Sequence, residues 1–578
     1  MTSSSIGFRR TGSWVLVAFA LQACWEDALV EREGLVDAGV DVAADASEGD
    51  VALESPPAEA EVEPDAVEPF DFDGDRMLAD VTALASVPFE GRMPGSAGGE
   101  LALQKVEQHF SAMQLQPLGS NGYRMPFTFD LWVQTGPSEL RVEDDAWVER
   151  EDFGLLGGSG AGEVTSDLVF AGYGLTVPAF DDADYPDCPL PPEGYDDYAG
   201  LDVSGKVVLV LRHGPAGDMA VHQSCPANEA AKTSSEALWT FGYKAANAAL
   251  HGASGLVLIN RIGTADSAPV QGGLGEEYSD QAFIAASAHR DKITSVLPQV
   301  GGWQASIDSA LAPASTETGL TVRLRAATEV QTRSTDNLLA SFPGTDPELS
   351  QEAIVVGAHI DHLGIDPVTG EVYAGADDNA SGTAVIMELA RALRAGLIEP
   401  RRTIILASFN AEEQGLIGSC RYVTVPAHPM SRTMAMFSVD MVGLGDGQGV
   451  ILSGAQGQLF SWLTDVTRAS AKTDGEIGTV VQGMPLDASD HTCFAMAGVP
   501  AVLVSSTGEH ATYHTPQDTS DAISPAVLEV SARLTWAGLR ALALGEEEAL
   551  QGDAGLGETR AHATAVATPR PAAARTRW

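Results

Sequence analysis

Positive charge is scarce in this chain. Its 578 residues carry 33 lysines and arginines against 80 aspartates and glutamates, for a formal net charge of −47. Binding to a phosphate backbone relies on clustered Lys and Arg that displace counterions, so nucleic acid is excluded as a partner class. Long apolar runs are missing as well: beyond the first 24 residues, no segment is long and apolar enough to cross a bilayer. Cysteine is rare, with five in all, and Cys420 and Cys493 match no metal-thiolate spacing. Hydrophobic residues, by contrast, make up 44% of the chain, enough for real cores. The length exceeds what one core usually serves, so two folded domains with tails are expected.

Both ends read as something other than folded domain. Arg9 and Arg10 give a positive start, residues 14–21 form an apolar stretch too short to span a membrane, and Leu21-Gln22-Ala23-Cys24 closes it. This pattern over residues 1–24 reads as an export signal whose last four residues resemble a bacterial lipoprotein box, with Cys24 as the lipidated residue. The expected location is the cell envelope, facing the periplasm or the cell surface, with membrane contact only through Cys24. Ordinary secretion with a coincidental Cys24 is the alternative. Residues 25–73 hold seventeen acids and one arginine, a composition with high charge and little to bury, which reads as a disordered tether. Residues 546–578 are low in complexity and read as an unstructured tail. In an exported chain, Cys188 and Cys225 suit a bridge, while Cys420 and Cys493 read as buried free thiols at least as well as a second pair.

Residues 74–165 show helical spacing at Met77, Leu78, Val81 and Leu84, and again at Leu101, Val106, Phe110 and Met113, and read as the N-terminal part of the main domain. Residues 166–327 differ. Short β-rich runs, SDLVFAGYG (166–174), GKVVLVLR (205–212) and GLVLINR (255–261), alternate with Gly, Pro and Asp clusters, with a helix around 236–251. The phrases VFAGYGLTVPAFDD, YDDYAGLDVSGKVVLVLR and KAANAALHGASGLVLIN resemble the protease-associated domain, a β-rich module inserted into exopeptidases. That resemblance implies a module without chemistry of its own that borders a cleft as a lid or wall; a plain spacer is the alternative.

The second half has an α/β rhythm. Residues 353–358, 403–409, 433–439, 450–453 and 501–505 are strand-like, and 381–395, 459–472 and 525–544 are helix-like. Ligands of such sheets collect beyond the carboxyl ends of strands. There stand AHIDH (358–362), NAEEQG (410–415) and SVDMVG (438–443), joined by GADDNASG (375–382) and TYHTP (512–516). Taken singly, His359 with Asp361 reads as a surface turn, Asp377-Asp378 as a turn and helix cap, Glu412-Glu413 as a solvated pair and His514 as an exposed histidine. Asp440 within AMFSVDMVG is harder to read so, because burying a carboxylate is costly without a cation. Together they supply oxygen and imidazole donors for a pair of divalent metals with a position left for water.

The order HxD, DDNASG, EE, D and YH, with VPFEGRMPGSAGG at 87–99, resembles the di-zinc exopeptidase superfamily of leucyl aminopeptidases, aminopeptidase Y-type enzymes, glutamate carboxypeptidase and the catalytically silent transferrin receptor. The resemblance covers residues 74–545. It implies an α/β fold, a mixed and mostly parallel sheet flanked by helices, with the β-rich protease-associated domain at 166–327 and the metal-binding peptidase domain at 328–545. It also implies Asp377 as the carboxylate bridging both metals, His359 and Asp440 completing the first, and Glu413 and His514 the second. Asp361 would accept the spare imidazole N–H of His359, Glu412 would be the general base and Tyr513 would donate to the oxyanion; Asp490 and His491 take no metal role. Two adjacent glutamates can divide the labour, one binding metal and the other taking the proton of activated water. Mixed imidazole and carboxylate donors favour two Zn2+, with Co2+ or Mn2+ able to use the same set. The expected protein is an exported zinc-dependent aminopeptidase acting on peptides or proteins with a free N-terminus. A carboxypeptidase of the same superfamily and a silent lipid-anchored binding protein are the alternatives.

Overall fold

The computed structural model describes residues 70–547, apart from 186–187, 216–224, 227–239, 265–266, 271–272, 275–281, 455–457, 476 and 486–487. The segment read as an export signal, with Cys24, and most of the expected tether and tail lie outside the described residues. The last four tether residues lie inside. Phe72 is buried against Trp536, and Asp73 caps the helix Gly74–Leu84 by accepting from the Arg76 amide. Among the described residues, the two phenylalanines that interrupt the acidic composition, 70 and 72, are already packed. At the other end Glu547, assigned to the tail by composition, is buried 2.9 Å from the Arg402 guanidinium.

Among the described residues the main sheet has nine strands. Four central ones, Thr403–Phe409, Ala353–His359, Thr433–Val439 and Ala501–Ser506, run parallel in that order. Each is a near-continuous apolar run, as a strand covered on both faces requires, and the Ala353–His359 strand is buried at every position. One face packs under the helices Gly74–Leu84, Ala97–Ala112, Gly382–Arg394, Gln458–Thr473 and Pro525–Leu544. The other face gathers Val355, Ala407, Phe409, Tyr422, Met436 and Phe494. Antiparallel neighbours flank the parallel core: Thr328–Phe342 beside Thr403–Phe409, and Gly449–Gly454 beside Ala501–Ser506. This is the mixed α/β architecture read from the sequence, and the strands and helices of the second half fall within two residues of their expected bounds. Among the described residues no helix is long and apolar enough to cross a membrane.

A second, eight-stranded sheet builds the inserted domain, and it begins earlier than residue 166. The strands Glu139–Val142, Asp145–Ala146 and Phe153–Leu155 already belong to it. The cause lies in the ladder between Arg124–Gln134 and Thr328–Phe342, which pairs Gln134 with Thr328. The chain leaves and re-enters the main sheet side by side, so everything between those two residues is insertion. Both cysteine pairs are disulfides. For Cys420 and Cys493 this corrects the free-thiol reading: the helices Ile417–Thr424 and His491–Met496 bring the two Cα atoms to 5.1 Å, inside bridging range.

Candidate metal centre

Five chain segments meet at the carboxyl ends of the parallel strands. The Ala353–His359 strand delivers His359 at its last position, and Asp440 follows directly on Thr433–Val439. Beyond Thr403–Phe409 the chain turns sharply at Ala411, whose φ is +57°, so that Glu412 and Glu413 face back over the sheet. The turn is held from below, since Asn337 accepts the Asn410 amide and Asn410 accepts that of Ala411.

Asp378 sits at the middle of the cluster with its two oxygens facing opposite ways. One lies 3.3 Å from His359 Nε2 and the other 3.0 Å from His514 Nε2. Around the first oxygen, His359 Nε2 is also 3.2 Å from Asp440 Oδ1 and 4.0 Å from Glu412 Oε2. Around the second, His514 Nε2 is 3.1 Å from Glu413 Oε2, and His362 Nδ1 is 2.6 Å from Glu413 Oε1. The donor atoms of His362, Asp378, Glu413 and His514 all lie within 4.8 Å of one another, as do those of His359, Glu412 and Asp440.

Two roles inferred from the sequence are corrected by this geometry. Asp377, expected to bridge, faces away from both histidines: its carboxylate accepts the amides of Gly443 and Leu444 at 2.8 and 3.0 Å and pairs with His510 Nδ1. The spanning carboxylate is its neighbour Asp378. Asp361 does not take the spare N–H of His359 on its side chain. The His359 Nδ1 contact is to the Asp361 backbone carbonyl at 3.2 Å, while the Asp361 carboxylate accepts the Glu412 and Glu413 amides at 3.1 and 3.2 Å. It positions the glutamate pair instead of the imidazole.

Two residues passed over in the sequence do comparable work. Asp518 accepts the Asp377 and Asp378 amides at 2.9 and 3.0 Å, repeating at the aspartate pair what Asp361 does at the glutamate pair. Arg92, from the 87–99 segment, is fully buried and donates to the carbonyls of Ile360, Ala374 and Gly375, stitching together the two loops that carry His359 and Asp378. Asp518 carries no signal beyond residue type, whereas Arg92 stands inside the 87–99 segment, whose resemblance assigns it no role. Tyr513 stacks on His514, ring centroids 3.8 Å apart, and is half exposed at the rim. Ser489 donates to Asp440 at 2.9 Å, whereas Asp490 and His491 enter neither donor group.

Electrostatics separate the two glutamates. Burial, with Glu413, Asp440 and Asp490 nearby, holds the Glu412 carboxyl well above the usual range even against His359. Glu413 is buried too, but the imidazoles of His514 and His362 pull it down to about 2. Burial alone would lower His359 and His514; the surrounding carboxylates outweigh it and raise both. Such a gathering of buried carboxylates calls for cations. The donors fit zinc, since they are carboxylate oxygens and imidazole nitrogens in two groups, with Asp378 of one group also 3.3 Å from His359 of the other.

Residues 337–539 match Peptidase family M28, and residues 164–292 match the PA domain. Residues 337–539 thus form an M28-type peptidase segment of the zinc exopeptidase superfamily, and the insertion ahead of it carries a PA domain. Among curated M28-like relatives, the chain is 31% identical over 198 residues to a probable leucine aminopeptidase of Arthroderma benhamiae, covering 32% of this chain and 53% of that protein. It is 30% identical over 196 residues to aminopeptidase YwaD of Bacillus subtilis, covering 32% and 40%. It is 25% identical over 398 residues to an aminopeptidase of Pseudomonas aeruginosa, covering 66% and 61%. The chain thus spans about half the length of the fungal relative. The solved aminopeptidase from Aneurinibacillus sp. strain AM-1 shares the fold with a TM-score of 0.58 at 24% identity, over 82% of this chain and 94% of that one.

Proposed function

We propose that this M28 protein is a zinc-dependent aminopeptidase that removes N-terminal residues from peptides, using two zinc ions and Glu412 as general base. The observation that carries this reading is the placement of Asp378, one oxygen toward His359 and the other toward His514. His359, Asp440 and Asp378 would hold one ion; Asp378, Glu413 and His514 would hold the other. Zinc bound there supplies Lewis acidity, polarising the scissile carbonyl and acidifying a water molecule. Glu412 stands on the His359 side, its carboxylate 4.0 Å from His359 Nε2, where it would take the proton of the attacking water and hand it to the leaving amine. Tyr513, stacked on His514 at the rim, would donate to the oxyanion. The named activities of the relatives, leucine aminopeptidase and aminopeptidase, favour the amino terminus as the point of attack.

Purified protein assayed on amino-acid nitroanilides and on dipeptides blocked at either end tests this. Cleavage of nitroanilides and of carboxyl-blocked dipeptides, abolished by chelator and restored by Zn2+, is expected. Cleavage of amino-blocked dipeptides alone would move the assignment to a carboxypeptidase, and chelator-insensitive turnover would remove the metal reading altogether. We further propose that the protein is exported and anchored through lipidated Cys24. Two disulfides suit an oxidising compartment. The variant Cys24→Ser should leave the membrane fraction; one that still sediments with membranes would rule the anchor out.

A further inference from the structure

We propose that His362 is a fourth protein donor at the Glu413/His514 position, so that the two metal positions are unequal: one closed by four protein ligands, the other left open beside Glu412. The inference rests on the two-zinc reading above and assigns within it a residue that neither the sequence motifs nor that reading used.

His362 is fully buried, and its Nδ1 faces the pocket, 2.6 Å from Glu413 Oε1 and 3.9 Å from Asp378 Oδ2. Its ring stands at 65° to that of His514, centroids 5.7 Å apart, so the two imidazoles approach from different directions. Tetrahedral zinc with bonds of about 2.0–2.1 Å places its donors roughly 3.3 Å apart. His514 Nε2 already sits 3.0 and 3.1 Å from the Asp378 and Glu413 oxygens, and His362 Nδ1 closes the fourth side of that group.

Two further features show that the ring's place is made for this end. Gly375 has φ +59°, and a Cβ there would meet His362 Cδ2 at 2.5 Å, so the glycine leaves room for the imidazole. On the far side of the ring, Nε2 is buried without a hydrogen-bond partner among the described residues. A buried imidazole is ordinarily paired at both nitrogens. Here every polar contact of the side chain lies on the Nδ1 side, among the carboxylates. The His359 side differs, since it has Asp440, one Asp378 oxygen and the uncommitted Glu412, an arrangement that keeps a coordination position free.

Zinc binding reads this directly. Apo-protein titrated with Zn2+ in competition with a zinc-chelating dye should bind two ions in separable steps. In both His362→Ala and the near-isosteric His362→Gln, which can still hydrogen-bond Glu413, one step should weaken by more than about 100-fold, beyond what loss of an outer partner costs. The other step should hold within about threefold, and the visible bands of the Co2+-loaded protein should change in both variants. If His362→Gln keeps both affinities within tenfold and the Co2+ bands of the wild type, His362 merely positions Glu413 and the inference fails while the two-zinc reading stands. Fewer than two Zn2+ in the wild type would overturn the reading beneath it as well.

Discussion

Asp377 and Asp378 are adjacent and both buried, yet the first ties the 443–444 turn to His510 while the second spans the two histidines. Their substitutions should therefore part company. Asp378→Asn is expected to lose most bound zinc at both positions. Asp377→Asn should retain near-normal zinc and lose stability instead, by about 1–3 kcal/mol, because it weakens charge-assisted hydrogen bonds to two amides and an imidazole. Elemental analysis of zinc and denaturant unfolding of the two proteins separate these outcomes. The glutamate pair allows a parallel test: Glu412→Gln should keep its zinc while turnover falls about 10²- to 10⁴-fold. Loss of zinc in that variant would mean that Glu412 is a ligand, and the proposed division between the two glutamates would be wrong. At this scale the sequence showed which residue types converge but not which way neighbours point. Nothing in GADDNASG distinguishes its two aspartates; the distinction arises from Asp518, which fixes both amides from a loop 140 residues away in the chain. His362 was hidden for the opposite reason, since the HxD pattern beside it absorbed the reading of AHIDH.

Between elements, the recurring device is a buried carboxylate that takes two consecutive amides and so aims the side chains that follow. Asp361 does this for Glu412 and Glu413, and Asp518 for Asp377 and Asp378. Burial pushes each of these carboxyls up to about 6, which the paired amides moderate. The helix Gly382–Arg394 is locked to the neighbouring strand end by Asn379, which accepts the Gly382 amide and donates to the Val439 carbonyl, each at 2.9 Å. The Cys420–Cys493 disulfide acts in the same region, joining the helix after the glutamate pair to the helix after Ser489, the partner of Asp440. It closes a loop with a sequence separation of 73, which in the chain-entropy account corresponds to about 4 kcal/mol. The double variant Cys420→Ser/Cys493→Ser should lower the denaturant midpoint accordingly, with a larger loss in zinc-free than in zinc-loaded protein, since bound metal holds the same segments together. An unchanged midpoint would mean that the helices pack without the bridge. Helices and parallel strands were legible here because each is a long, strongly patterned run. The pairing of the two cysteines was not, because it depends on how two helices pack and not on spacing along the chain.

For the whole molecule, the insertion is separable in a way its sequence did not reveal. The apolar clusters of the inserted sheet are drawn entirely from residues between Leu140 and Ala326, and those of the peptidase sheet contain none of them. The PA match begins at 164, close to the 166 read from the sequence, but the sheet takes in earlier strands that went unmarked because those from 139 to 155 are short and carry little pattern, whereas the alternation of RMPFTFDLWVQ marks the strand that leads into the insertion. The insertion touches the metal-bearing part through Arg150 Nε, 2.8 Å from Asp366 in the loop between His362 and Gly375. Gln134 and Thr328 are Cα partners across an antiparallel ladder, so replacing 135–327 by Asn-Gly closes that ladder as a tight hairpin without moving either strand. The shortened chain should fold and bind zinc, because its cores and donors are intact, and should still cleave small amino-acid nitroanilides. If the insertion borders the cleft, the ratio of kcat/KM between long peptides and nitroanilides should shift by more than about tenfold, and Arg150→Ala in the full chain should shift it in the same direction by less. A ratio equal to that of the intact protein would make the insertion a spacer, with Arg150 and Asp366 a structural contact only.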